Sequence, residues 1–241
     1  MTAADVSPSR TVPHARITGV LYLVIIALGL FSELAVRAPL IVRGDAAATA
    51  ANIAGAERLF RIGFAADLVV FLCDVAVAAL LYFMLRPAGK ALSLTAAAFR
   101  LTGTAIYGAN LLNLLAPLLI LGGAGSFAAF APDRLHALAL LFLDLHRHGY
   151  DLGLVFFGVH CLALGALLLR SSSFPSILGV LMALAGAGYL VGSFTLFLFP
   201  ESAGAVAPVY AAPLVGELAF CLWLLIRGGK RSAGQPAGDR A

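Results

Sequence analysis

The residues of this sequence whose types could do chemistry are acids, bases and amides set inside long apolar runs. Asp74, Arg100, His160 and Glu217 each fall in a different run. A carboxylate beside a guanidinium is an ion pair, and a histidine within reach of a glutamate can share a proton with it. A second group lies in LFLDLHRHGYD, which holds Asp144, His146, His148 and Asp151. On a helix Asp144, His148 and Asp151 stand at i, i+4 and i+7, one face. Imidazole with carboxylate is ligation chemistry for a zinc or iron ion. Such an ion would activate water against a lipid or small ester. The stretch has no HExxH, and a turn expected at Gly149 interrupts the face. Such a cluster is more often anchoring at a headgroup boundary.

The elements that position these residues follow from composition. Of 241 residues 61% are hydrophobic and only 12% charged, against about 25% charged in a soluble domain. Mean hydropathy is +0.99. Apolar runs of spanning length recur along the chain, which is the mark of membrane helices. The reading is an all-α, polytopic transmembrane bundle with six spans at about 17–36, 59–85, 91–121, 150–169, 177–199 and 210–226. Residues 134–148 are expected to form a separate interfacial or re-entrant helix, because their apolar core is too short to cross. Asp45 is a candidate N-cap for a short helix over AAATAANIA. Residues 1–15 read as a flexible cytoplasmic tail, 16–227 as one transmembrane domain and 228–241 as a disordered cytoplasmic tail. The first apolar run is longer than a signal-peptide core of roughly 7–15 residues, so it reads as a retained helix.

Net charge is +4 with three cysteines. The basic residues flank the apolar runs, which points to topology and lipid headgroups and away from nucleic acid. With the N-terminus inside, nine Lys and Arg fall on the inner side: Arg10, Arg16, Arg86, Lys90, Arg170, Arg227, Lys230, Arg231 and Arg240. The outer segments hold six: Arg37, Arg43, Arg58, Arg61, Arg134 and Arg147. The expectation is therefore N-in and C-in. Cys73, Cys161 and Cys221 sit in apolar runs without CxxC spacing, which suits packing residues.

At ~1.5 Å per residue, Asp74, Arg100, His160 and Glu217 all lie roughly 13–17 Å from the cytoplasmic end. Four helices bringing polar groups to one depth implies a shared network, with Asp74–Arg100 as its ion pair. A second tier, roughly 25–30 Å deep, holds Glu33, Asp67, Asn110, Asn113 and Ser193. Asp151 falls at that depth too, but nine residues from His160 it lies on the opposite side of its helix. The tiers read as floor and mouth of one polar cavity opening outward, with Tyr22, Gly29 and Glu33 on one face of the first helix. Buried charges that only fix helix register are the alternative. Gly179, Ala183 and Ala187, with Gly188 and Gly192, recur four apart and predict close helix packing.

Several motifs appear in a familiar order: RITGVLYLVIIALGLFSEL from Arg16, GDAAATAANIAGAERLFRIGFAADLV from Gly44, LYFMLRP from Leu81, AAAFRL around Arg100 and NLLNLLA from Asn110. They continue with FLDLHRHGYDLGLVFFGVHCLALGALLLRSSSFPSILG from Phe142 and GELAFCLWLL from Gly216. Over roughly residues 16–228 the chain resembles an uncharacterised bacterial integral-membrane family known as a domain of unknown function. The resemblance implies a bundle in the bacterial cytoplasmic membrane and brings no activity, substrate or catalytic residue with it. Three functions stay open. The first is a transporter- or receptor-like bundle taking a small molecule or lipid, and the second a structural or regulatory membrane partner. The third is a membrane-embedded metal-dependent hydrolase built on Asp144, His146 and His148.

Overall fold

The structure, a computed structural model, describes residues 11–122, 127 and 129–227. The tail expected at 228–241 lies outside the described residues, as do residues 1–10. Seven principal helices follow one another: α1 (His14–Leu40), α2 (Ala46–Gly55), α3 (Glu57–Leu85), α4 (Lys90–Leu121), α5 (Pro132–Arg170), α6 (Ser176–Leu198) and α7 (Ala211–Arg227). All but α2 belong to the six segments long and apolar enough to cross a membrane. In hydrocarbon a helix satisfies all its own backbone groups, which is why these apolar runs take that form. Helical backbone starts at Thr11, three residues before the span counted as α1.

The spans form a closed ring in chain order. α1 packs on α3, α3 on α4, α4 on α5, α5 on α6, α6 on α7, and α7 returns to α1. Two apolar clusters fill it. One, around Tyr22, Val77, Phe157, Leu164 and Phe220, packs the half nearer the start of α1 and the end of α7. The other, around Val36, Phe60, Phe71, Tyr107 and Leu143, packs the opposite half. Asp45 caps α2, its Oδ1 accepting from the Ala48 amide at 2.9 Å.

The separate helix expected at 134–148 does not exist. Residues 132–170 form one helix of 39 residues, about 58 Å long, against a hydrocarbon core of about 30 Å. Its buried stripe, Ala139, Leu143, His146, Gly153, Phe157, His160, Leu164 and Leu167, recurs every three, four or seven residues without a break. Gly149 is therefore a notch and not a turn. A Cβ there would lie 2.3 Å from Oδ1 of Asn110, and one at Gly153 would lie 2.2 Å from the Tyr107 ring. Both glycines let α4 approach.

Further along α5, Gly158 and Gly165 face Gly186 and Gly179 of α6. In lipid, where apolar burial between helices is not a driving force, such backbone approach is a principal source of association. The small residues of α6 thus pack within the chain: Gly188 lies against Val209 and Pro213, and Gly192 against Tyr210. One departure from α-helix is local: Phe31–Arg37 in α1 is a π-helical stretch. Such stretches often mark functional positions.

A Cβ at Gly186 would lie 2.6 Å from the Gly158 carbonyl oxygen, which is backbone and cannot swing away. Gly186→Ala is expected to destabilise the bundle by about 1–3 kcal/mol, whereas Gly108→Ala, with nothing within 4 Å, costs nothing. Unfolding midpoints in one detergent check both.

Candidate functional site

Arg100 is the largest fully buried side chain, with 0% of its surface exposed. It projects from α4 into the ring, and all its functional partners come from other spans. Its Nη2 donates to Oδ1 of Asp74 on α3. Its Nη1 lies 3.1 Å from Nε2 of His160 on α5 and 3.5 Å from the Tyr22 hydroxyl on α1. The guanidinium sits over two aromatic rings, 5.0 Å from the centroid of Tyr22 and 4.9 Å from that of Phe157. A cation in hydrocarbon needs such compensation, and rings supply it through their negative faces.

Each partner is itself held. The Thr104 hydroxyl, one turn on from Arg100, donates toward Oδ2 of Asp74 and lies 2.9 Å from the Arg100 carbonyl. His160 has Nδ1 at 2.8 Å from the Ala96 carbonyl. A carbonyl only accepts and a guanidinium only donates, so His160 carries its proton on Nδ1 and lends the Nε2 lone pair to Arg100. The Tyr22 hydroxyl, which accepts from Arg100, donates to Oε2 of Glu217 on α7 at 3.1 Å. The Tyr189 hydroxyl on α6 donates to Oε1. All six spans therefore contribute a polar side chain to one cluster.

The charges do not balance. Arg100 and Asp74 neutralise each other. Glu217 is met by two phenols, and among the described residues no cation forms an ion pair with it. It is also only partly buried. The expected exchange of a proton between His160 and Glu217 finds no support. Both nitrogens of His160 are engaged on the far side of Tyr22, and neither contacts Glu217.

The outer tier divides into separate contacts. Arg37, in the π-helical stretch, donates to Glu33 at 2.8 Å and to Asp67. Arg37 and Asp67 are largely buried, while the Glu33 side chain is 60% exposed. Asn110 donates to the His146 carbonyl at 2.7 Å, and His146 Nδ1 lies 3.2 Å from the Asn110 carbonyl, a reciprocal clasp between α4 and α5. Asn113 donates to Asn110 at 3.0 Å. Asp151 accepts from Tyr210 at 3.2 Å, so it points toward α7 while His160, on the same unbroken helix, points toward α4. Ser193 is fully buried, and its hydroxyl has no hydrogen-bond partner among the described residues.

The metal set Asp144, His146 and His148 does not converge. Two residues apart on an unbroken helix is about 200° of rotation. His146 is buried against α4, Asp144 is exposed, and His148 Nδ1 is engaged at 2.8 Å by the Asp144 carbonyl. Among the described residues no three His, Cys, Asp or Glu gather at metal-binding distance. Two surface depressions are lined almost wholly by apolar residues. One of about 220 Å³ lies between α3 and α4, lined by residues that include Leu68, Leu72, Val75, Leu101 and Thr104.

Three of these residues do not stand out in the sequence. Arg37 lies at the end of an apolar run, though its i, i+4 spacing from Glu33 is a signal. Thr104 stands one turn from Arg100. Tyr189 has no sequence signal beyond being a phenol within a span.

The fold and the cluster define a class: a six-span α-helical membrane bundle with an ionic centre to which every span contributes. The chain belongs to the family described as Domain of unknown function (DUF4386), whose model matches residues 17–228. It is 30% identical over 164 residues to an uncharacterised protein of Archaeoglobus fulgidus, covering 68% of this chain and 82% of the relative. That relative is archaeal, so chains of this kind are not confined to bacteria. No solved structure matches.

Removing one partner of a buried ion pair strands the other charge. Asp74→Ala is expected to cost about 3–5 kcal/mol, and replacing both Asp74 and Arg100 by leucine much less. Detergent unfolding of the two single variants and the double variant checks this, since an additive result would show that the residues do not act as a pair.

Proposed function

We propose that the chain is a binding bundle of the transporter or receptor kind, taking a small molecule or lipid headgroup from the outer side of a bacterial cytoplasmic membrane. The observation that supports this reading is the surplus carboxylate. A lock that served packing alone needs no acid beyond Asp74, because Asp74, His160 and Tyr22 already meet the two terminal nitrogens of Arg100. Glu217 adds a costly negative group, partly exposed and reached only by phenol hydroxyls. In the outer tier Glu33, Arg37 and Asp67 form the entrance, with Asn110, Asn113 and Ser193 at similar depth. The excess of Lys and Arg on one side supports both termini in the cytoplasm, and six spans put the termini on the same side.

A second reading, a structural or regulatory partner of another membrane protein, is favoured by the complete enclosure of Arg100 and by the apolar character of the surface depressions. The two diverge in one experiment. Native mass spectrometry of the full chain, extracted gently from its own membranes, is expected to show a bound small molecule or lipid that survives mild activation and is lost in Glu217→Gln. A protein free of ligand, with Glu217→Gln less stable than the parent, would favour the structural partner.

A further inference from the structure

Three ionisable groups meet Arg100 directly or through Tyr22, and they differ in what holds them. Asp74 has one oxygen on the guanidinium and the other on Thr104. His160 has both ring nitrogens engaged. Glu217 has a phenol on each oxygen and forms no ion pair among the described residues; Arg100 reaches it only through Tyr22. Hydrocarbon does not tolerate an isolated carboxylate, which is neutralised by a proton or by a cation.

We propose that Glu217 is a reversible proton-binding site, loaded at Oε1 against Tyr189. This rests on the reading of the chain as a binding bundle and names the proton as one species it takes. The choice of oxygen follows from the donors. Tyr22 gives its hydrogen to Oε2 while its oxygen accepts from Arg100, so it has little freedom. The Tyr189 oxygen accepts from no donor among the described residues, and its side chain is only partly buried. A proton from water adds to Oε1, the carboxylate becomes a carboxyl group, and the Tyr189 hydroxyl turns from donor to acceptor for the new O–H. Nothing is oxidised or reduced, and the reverse step returns the proton to water.

The groups facing this carboxyl are few. From α1 comes Tyr22, from α5 the buried Cys161 thiol, from α6 Tyr189, and Tyr210 packs edge-on against Tyr189 at 6.3 Å. Arg100 stands behind Tyr22 with Asp74 beyond it. One turn along α7, the Cys221 thiol lies 3.5 Å from the Gly19 carbonyl. Because Tyr22 bridges Glu217 and Arg100, loading the carboxyl weakens the pull on one end of that bridge. Proton binding is thereby linked to the centre where all six spans meet.

The test uses the full chain in liposomes and dicyclohexylcarbodiimide, an apolar reagent that reaches carboxyl groups within a bilayer. The protonated carboxyl adds across one C=N bond, its proton passing to nitrogen and its oxygen to carbon. Acyl migration to nitrogen then gives a stable N-acylurea, with no atom lost. Peptide mass mapping is expected to place one adduct on Glu217 and none on Asp74. Its yield should fall about tenfold per pH unit once the carboxyl is mostly ionised, and Glu217→Gln should abolish it. If that variant does not fold, the pH profile of the parent decides alone. No adduct on Glu217 at any pH, a yield independent of pH, or equal labelling of Asp74 would overturn the proposal. A bound ligand in native mass spectrometry without a pH-dependent adduct overturns the proton site and leaves the binding reading intact. An adduct without any ligand supports the proton site and removes that reading.

Discussion

A guanidinium cannot be solvated by hydrocarbon, and the architecture around Arg100 answers that constraint. The cation is met by a carboxylate, an imidazole lone pair, a phenol oxygen and two aromatic faces, drawn from α1, α3 and α5. These groups lie far apart in the chain, so they converge only when the ring closes in its proper order. The contact between α7 and α1 that completes the ring is bridged at this level by Tyr22 and Glu217. Buried ionic groups have their best-attested use in fixing register and partner choice, and here one side chain sets the register of several helices at once.

Around that centre, stability comes from close approach. Helices in lipid gain little from hiding apolar side chains and more from packing and interhelical hydrogen bonds. The glycines of α5 divide this labour. Gly149 and Gly153 admit Asn110 and Tyr107 of α4, while Gly158 and Gly165 admit the backbone of α6. The reciprocal Asn110–His146 pair then clasps α4 to α5 toward the α2 end of the bundle, as His160 clasps the same two helices near the middle.

Much of this was legible in the sequence because a bilayer leaves few choices. Apolar runs of spanning length define the helices, and the observed ends fall close to those expected for α3, α4, α6 and α7. Depth counting brought Asp74, Arg100, His160 and Glu217 to one level because every span starts from a charged or polar boundary. The reading failed where composition and geometry disagree. Asp144 to His148 break the apolar run of α5, yet the inward stripe passes through His146 and Gly149 without a change of phase, so the helix continues. The ligand set of Asp144, His146 and His148 was lost for the same reason, since alternate residues on a continuous helix point apart. Arg37 was hidden by its position at the end of a run, where a loop and a buried ion pair look alike. The surplus charge on Glu217 could be seen only once its neighbours were known to be phenols.

The length of α5 carries a mechanical consequence. About half of this rod extends past the thickness of the hydrocarbon, and its outer part is braced by α2. A rigid rod transmits tilt along its whole length. Anything that grips the helix near the exposed Leu141 or Leu145 holds a lever whose other arm carries His160, and with it one of the contacts that steady Arg100. An event at the membrane surface therefore has a direct route to the buried charges, with no need for a chain of intermediate rearrangements.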